Sequence, residues 1–252
     1  MTTLRTLVVL ILLSAGTVFA QSPEQVFQQG NMLYQQGSLD EARKAYELLL
    51  GQGYVSGELY YNLGNVYYRT GNIARGILFY ERAARLIPQD EDLQHNLTLA
   101  NLRITDRIEP TPRLFIWDWW DGLKNALSLQ GLTWLMFFSY LVVIAFVALL
   151  LLGGSYTVRR VGLIGSAVTG VLFLLVLAVF IGRLADLGAT DEAILMTPVA
   201  TVKNSPDPKS SDAFVLHSGV KVRVIDRVSE WVNIRLADGK QGWLERSSIE
   251  GI

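Results

Sequence analysis

The apolar residues of this chain fall into three separated blocks, and the polar stretches between them have their own periods. Residues 1–20 carry one basic residue, Arg5, then the apolar run Leu7–Leu13 and the small-residue end Val18-Phe19-Ala20. That layout predicts a secretory signal peptide cut before Gln21. Leu132–Leu152 and Val161–Ile181 are each 21 residues without a charge, about 30 Å as helix, which matches the hydrocarbon core of a bilayer. Neither has a polar stripe to turn toward water, so the pair predicts a transmembrane hairpin.

The link between them, residues 153–160, holds Arg159 and Arg160 and no acid. The positive-inside tendency puts it in the cytoplasm and both outer flanks on the far side. The segment 111–131 before the first span, with Trp117, Trp119 and Trp120, reads as a helix lying at the membrane surface. Neither span contains Asp, Glu, Lys, Arg or His, which disfavours transport.

Residues 22–108 follow a longer period. A shift of 34 places Gly30 on Gly64, Asn31 on Asn65, Gly37 on Gly71 and Tyr46 on Tyr80. The copies run 23–56 and 57–90, with a capping helix over 91–108. The order Leu63-Gly64, Tyr67, Gly71, Tyr80, Ala83, Pro88 resembles the tetratricopeptide repeat, in which each copy is a helical hairpin. The resemblance implies a binding face on the first helix of each hairpin. It comprises Phe27, Asn31 and Tyr34 from the first copy and Tyr61, Asn65, Tyr68 and Arg69 from the second. The asparagines suit a peptide backbone because an amide both donates and accepts. The tyrosines have packing as an equal alternative.

From residue 190 the period shortens. Ile194–Val202, Phe214–Leu216, Lys221–Asp226, Trp231–Leu236 and Gln241–Leu244 read as five strands separated by turn signals such as Asp238-Gly239. Five short strands imply a small, closed or half-open β-barrel. The steps Leu216-His217-Ser218-Gly219, Trp231 before Val232-Asn233-Ile234, and Asp238-Gly239-Lys240-Gln241-Gly242-Trp243 resemble the bacterial SH3-like domain, a small all-β barrel. That likeness implies peptide or cell-wall recognition. Trp231 and Trp243 are then either ligand contacts or core.

The expected architecture is multi-domain: all-α repeat hairpins, a two-helix transmembrane hairpin and the SH3-like barrel over 190–252. This order resembles the BatE family of the Bacteroides aerotolerance operons. It implies an inner-membrane protein with both folded domains in the periplasm, beside other membrane proteins of an aerotolerance or envelope-stress complex. The function expected is a non-enzymatic scaffold for a periplasmic protein or peptide, with a peptidoglycan-binding sensor as the alternative.

Composition narrows the chemistry. There is no cysteine, only two histidines, and a net charge of −1. Thiolate metal sites and disulfides are excluded, and no cofactor or metal is expected. Residues 21–110 hold 8 basic and 11 acidic residues, which argues against nucleic acid. The acidic run Asp90-Glu91-Asp92 has no base or nucleophile beside it, and its expected role is helix capping.

Overall fold

The computed structural model describes residues 22–188 and 191–252. The expected signal peptide lies outside them. Two compact units divide the chain at Tyr54.

The first unit contains the helical hairpin α1 (Pro23–Gln35) and α2 (Leu39–Gly51). Ser22 and Gln25 start α1 as a capping box: Ser22 Oγ accepts from Gln25 N at 3.3 Å, and Gln25 Oε1 accepts from Ser22 N at 3.0 Å. Gly37 ends it with φ 82°, a left-handed conformation that a side chain would strain. Tyr46 is buried against Gly30, where a β-carbon would come within 2.5 Å of the ring.

The second unit opens on the equivalent hairpin, α3 (Gly57–Arg69) and α4 (Ile73–Leu86). Its parts repeat those of the first at a spacing of 34, including Gly71 with φ 83°. The capping helix α5 spans Glu91–Asn101, and Asp90 starts it by accepting from Leu93 N at 2.8 Å. Then come α6 (Phe115–Asn125), α7 (Leu129–Leu152) and α8 (Tyr156–Gly188).

Both α7 and α8 are long and apolar enough to cross a membrane. A core helix of a water-soluble fold would hide its apolar surface, but only Leu132 of α7 and Gly162, Val179 and Arg183 of α8 are buried. The two pack closely where Gly162 lies against the α7 backbone at Leu150; a β-carbon there would be closer than any contact allows. The interhelical link is shorter than 153–160, because α8 begins at Tyr156 and carries Arg159 and Arg160 in its first turns.

The C-terminal sheet corrects the SH3-like barrel. It has seven strands: β1 (Glu192–Leu195), β2 (Val199–Lys203), β3 (Asp212–His217), β4 (Lys221–Val228), β5 (Trp231–Arg235), β6 (Gln241–Glu245) and β7 (Ile249–Gly251). Their order is β3-β2-β6-β5-β4-β1-β7, an open sheet with β3 and β7 as its edges. The single expected strand Ile194–Val202 breaks at Met196–Pro198. Its halves enter distant parts of the sheet, β1 between β4 and β7 and β2 between β6 and β3.

The core explains why the sheet stays open. Leu195, Val202, Val222, Ile234 and Leu244 fill one face, and Ile104 and Ile108 from the segment after α5 pack against them. Side chains from outside the sheet thus take the place that a closed barrel would fill from its own strands. Ile194 points the other way, into a second core shared with Ile77, Leu78, Tyr80, Leu93 and Ala100 of the repeat and cap helices. Strand β1 is therefore buried on both faces, and the sheet is one body with α3–α5.

Candidate functional site

The expected binding residues of the first repeat, Phe27, Asn31 and Tyr34, recur at consecutive turns of α1 and are half-buried. Asn31 Oδ1 accepts from the Tyr46 hydroxyl at 2.7 Å, and the Phe27 ring lies 5.9 Å from that of Tyr46. This side of α1 therefore also holds its own hairpin together.

In the second repeat, Tyr61, Asn65 and Tyr68 are half-buried and Arg69 is exposed. Asn65 Oδ1 accepts from the Tyr80 hydroxyl at 2.7 Å and from Asn96 Nδ2 at 2.9 Å. Asn96 also donates to the Tyr61 hydroxyl at 3.0 Å. The Arg103 guanidinium sits over the Tyr68 ring, 5.4 Å from its centroid. Asn96 of α5 and Arg103, just after it, both reach the side of α3 that carries the expected binding residues. The amide expected to read a peptide backbone is already engaged through its oxygen, and Arg69 and Arg103 are the exposed side chains here. Sequence spacing alone gave no sign of Asn96: the cap helix starts 34 residues after α3, but Asn96 then falls on Asn62, which is not among the expected binding residues.

Trp231 and Trp243 lie on one face of the sheet, opposite the core. Each is half-buried, while their neighbours Val232, Ile234, Gly242 and Leu244 are buried. Trp231 pairs across the ladder with Glu245, and Trp243 with Asn233. Trp231 also lines a pocket of about 370 Å3 with Thr197, Thr201, Lys203 and Pro208. Neither tryptophan is core.

Charged side chains fasten the repeat to the sheet. Lys221 Nζ is 3.0 Å from both Glu81 and Glu192, Arg85 reaches Glu192 at 3.4 Å, and Arg82 reaches Glu250 at 3.2 Å. Arg82 and Arg85 also donate to the carbonyls of Gly251 and Ile252, at 2.6 and 3.0 Å, so α4 covers the β7 end of the sheet. Burial pushes the Glu192 carboxyl up, but Lys221 and Arg85 outweigh it and hold it below the usual value. Burial likewise opposes the charge of Lys221, and Glu81 and Glu192 outweigh it and raise it.

A second junction joins the repeat to the apolar hairpin. Buried Arg183 of α8 donates to Asn125 Oδ1 at 2.9 Å and to the Arg85 carbonyl at 2.8 Å, at the C-terminal end of α4. A cation suits that end, where helix carbonyls are left over. Lys124 of α6 bridges Asp121 at 3.0 Å and Asp186 at 2.6 Å.

No cluster of three or more His, Asp or Glu side chains suited to a metal occurs among the described residues.

Comparison with known proteins agrees on the helical part. The tetratricopeptide repeat family matches residues 27–91. Protein O-mannosyl-transferase TMTC1 of Mus musculus is 31% identical over 74 residues, 29% of this chain and 8% of that protein. The same protein of Homo sapiens is 30% identical over 86 residues, 34% of this chain and 10% of that protein. The chain thus matches about a tenth or less of the length of these relatives. The resemblance to the BatE family is overturned. It depended on the SH3-like module, the sheet is open, and no match specific to that family accompanies these. What the chain shares with known proteins is a tetratricopeptide-repeat segment, of a class that binds polypeptides and is non-catalytic.

Proposed function

We propose that this chain is a non-enzymatic, membrane-anchored adaptor that holds a polypeptide partner at a membrane surface. The match of residues 27–91 to the tetratricopeptide repeat carries this reading. The partner, a protein segment, meets Phe27, Asn31 and Tyr34 on the first copy and Tyr61, Asn65, Tyr68 and Arg69 on the second. Wall material is a poorer partner, because that reading depended on a closed SH3-like barrel.

Helices α7 and α8 form the anchor. Arg159 and Arg160 sit where the hairpin turns and favour its placement on the cytoplasmic side. The repeats and the sheet then lie on the outer face of an inner membrane, in the periplasm. The contacts of Arg183 and Lys124 support this arrangement, since they tie the opposite end of the hairpin to α4 and α6.

A photoreactive amino acid at Tyr68 of the full chain, in native membranes, tests the reading. It is expected to capture a discrete polypeptide, and Arg69→Glu is expected to reduce the yield. Equal capture from the remote exposed position Lys209, or yields unchanged by Arg69→Glu, would sink the assignment.

A further inference from the structure

Helix α6 folds back against α7 and α8 and leaves a crevice of about 490 Å3. Its walls include Leu123 of α6, Leu127 of the link to α7, Leu132 and Ser139 of α7, and Leu175 and Val179 of α8. Ser139 is the one hydroxyl in the lining, and it donates to the Met136 carbonyl of its own helix at 2.9 Å. The wall presented to an occupant is therefore hydrocarbon. Water would find no set of polar partners there.

A polar layer follows one turn further out. Val179 precedes Arg183 by four residues on the same helical face, and Leu123 adjoins Lys124. Arg113, Lys124 and Arg183 stand there with Asp118, Asp121 and Asp186, three cations and three carboxylates. An occupant with an apolar chain and a polar head matches this order of surfaces.

We infer that the crevice holds one acyl chain of a bilayer phospholipid, with its headgroup at the polar layer. This rests on the reading of α7 and α8 as membrane spans. The polar layer at one end of the apolar crevice favours a lipid, apolar along its chain and polar at its head, over a uniformly apolar helix face. The volume suits a small ligand, for which pockets run about 300–1,000 Å3. The balanced charge of the layer means that the chain, not the headgroup charge, selects the lipid. The lipid acts as a wedge that sets α6 against the hairpin, alongside the contact of Gly182 with Lys124 and Trp120.

The full chain in vesicles of phosphatidylcholine and phosphatidylethanolamine, doped with phosphatidylcholine carrying a mid-chain diazirine, provides the test. After photolysis, adducts are expected at the crevice positions Leu123, Leu127, Leu172, Leu175, Val176 and Val179. They should exceed those at the outward positions Leu163 and Leu174, 57% and 61% exposed, by about tenfold. Ala126→Phe and Val176→Phe fill the crevice from different walls, and each is expected to lower crevice adducts about tenfold, because overpacking excludes the chain. Leu174→Phe should leave them unchanged. Phosphatidylglycerol with the same diazirine is expected to give the same map, and a strong preference for it would overturn selection by the chain. Even labelling around the hairpin would overturn the crevice site while leaving the membrane reading intact. Absence of adducts on both helices, with the protein outside the vesicle fraction, would overturn both.

Discussion

The hydroxyl of Tyr80 lies 2.7 Å from Oδ1 of Asn65. Thirty-four residues earlier, Tyr46 and Asn31 make the same bond at the same length. The pair fixes the second helix of a hairpin to the first, and in the second copy it also recruits Asn96 of the cap. Tyr80→Phe is expected to cost about 1 kcal/mol, the net worth of one neutral hydrogen bond. Asn65→Ala removes the acceptor for two donors and should cost about twice as much. Hydrogen exchange of α3–α5 in the intact protein measures both. A double mutant no worse than Asn65→Ala alone would confirm that the two residues act as one unit, and strict additivity would refute it.

Close approach makes a second expectation. A β-carbon on Gly64 would come within 3 Å of the Tyr80 ring. The ring is fully buried and has nowhere to move. Gly64→Ala should therefore destabilise the second repeat by about 1–3 kcal/mol through overpacking. Tyr80→Ala in the same chain should absorb part of that loss. Full additivity of the two substitutions, read in a thermal melt, would show that the ring is not the obstacle.

These repeat features were legible in the sequence because each residue answers to another at a fixed spacing. Gly37 and Gly71, or Asn31 and Asn65, identify one another without knowledge of the fold. The sheet was different. Val222, Val224, Val232 and Ile234 announce their buried faces by alternation, but strand order depends on what closes the core. Here Ile104 and Ile108 close it, and nothing local to either residue marks it as part of a sheet. Ile194 misled for the same reason: it lengthened an apolar run that read as one strand, though it belongs to the helical core. Asn65 and Tyr68 were identifiable as candidates, and Arg103 as a cap residue able to extend their groove, but Asn96 falls on Asn62 of the repeat, which carried no binding signal.

The junction of α4 with the sheet sets a pH dependence. Glu192 titrates below the ordinary carboxylate value, so its contribution is complete above about pH 4.3 and is lost as pH falls through its lowered value. Lys221 titrates above the ordinary lysine value, so its contribution is complete below about pH 10.4 and is lost as pH rises through its raised value. Stability of this junction should be flat between roughly pH 5 and 10 and fall on either side. Hydrogen exchange of β1 and α4 against pH checks the window. Glu192→Gln should weaken the acid limb, and an unchanged limb would assign it to other carboxylates.

Orientation is open to a direct assay because the chain has no cysteine, so one introduced thiol reports one position. Gln28→Cys in the first repeat, Lys209→Cys in the sheet and Ser155→Cys between the apolar helices are all exposed sites. In intact bacterial cells with a permeable outer membrane, a membrane-impermeant maleimide is expected to label the first two. Ser155→Cys should react only after the inner membrane is opened. The cause assigned is the pair Arg159 and Arg160. Replacing both with Glu changes their sum from +2 to −2 and removes the bias that retains the turn in the cytoplasm, so a mixed population is expected. Labelling of Gln28→Cys and Lys209→Cys from opposite sides would separate the repeat from the sheet across the membrane. That result cannot coexist with the bonds from Arg82 and Arg85 to the end of the sheet, and it would refute the shared outer face.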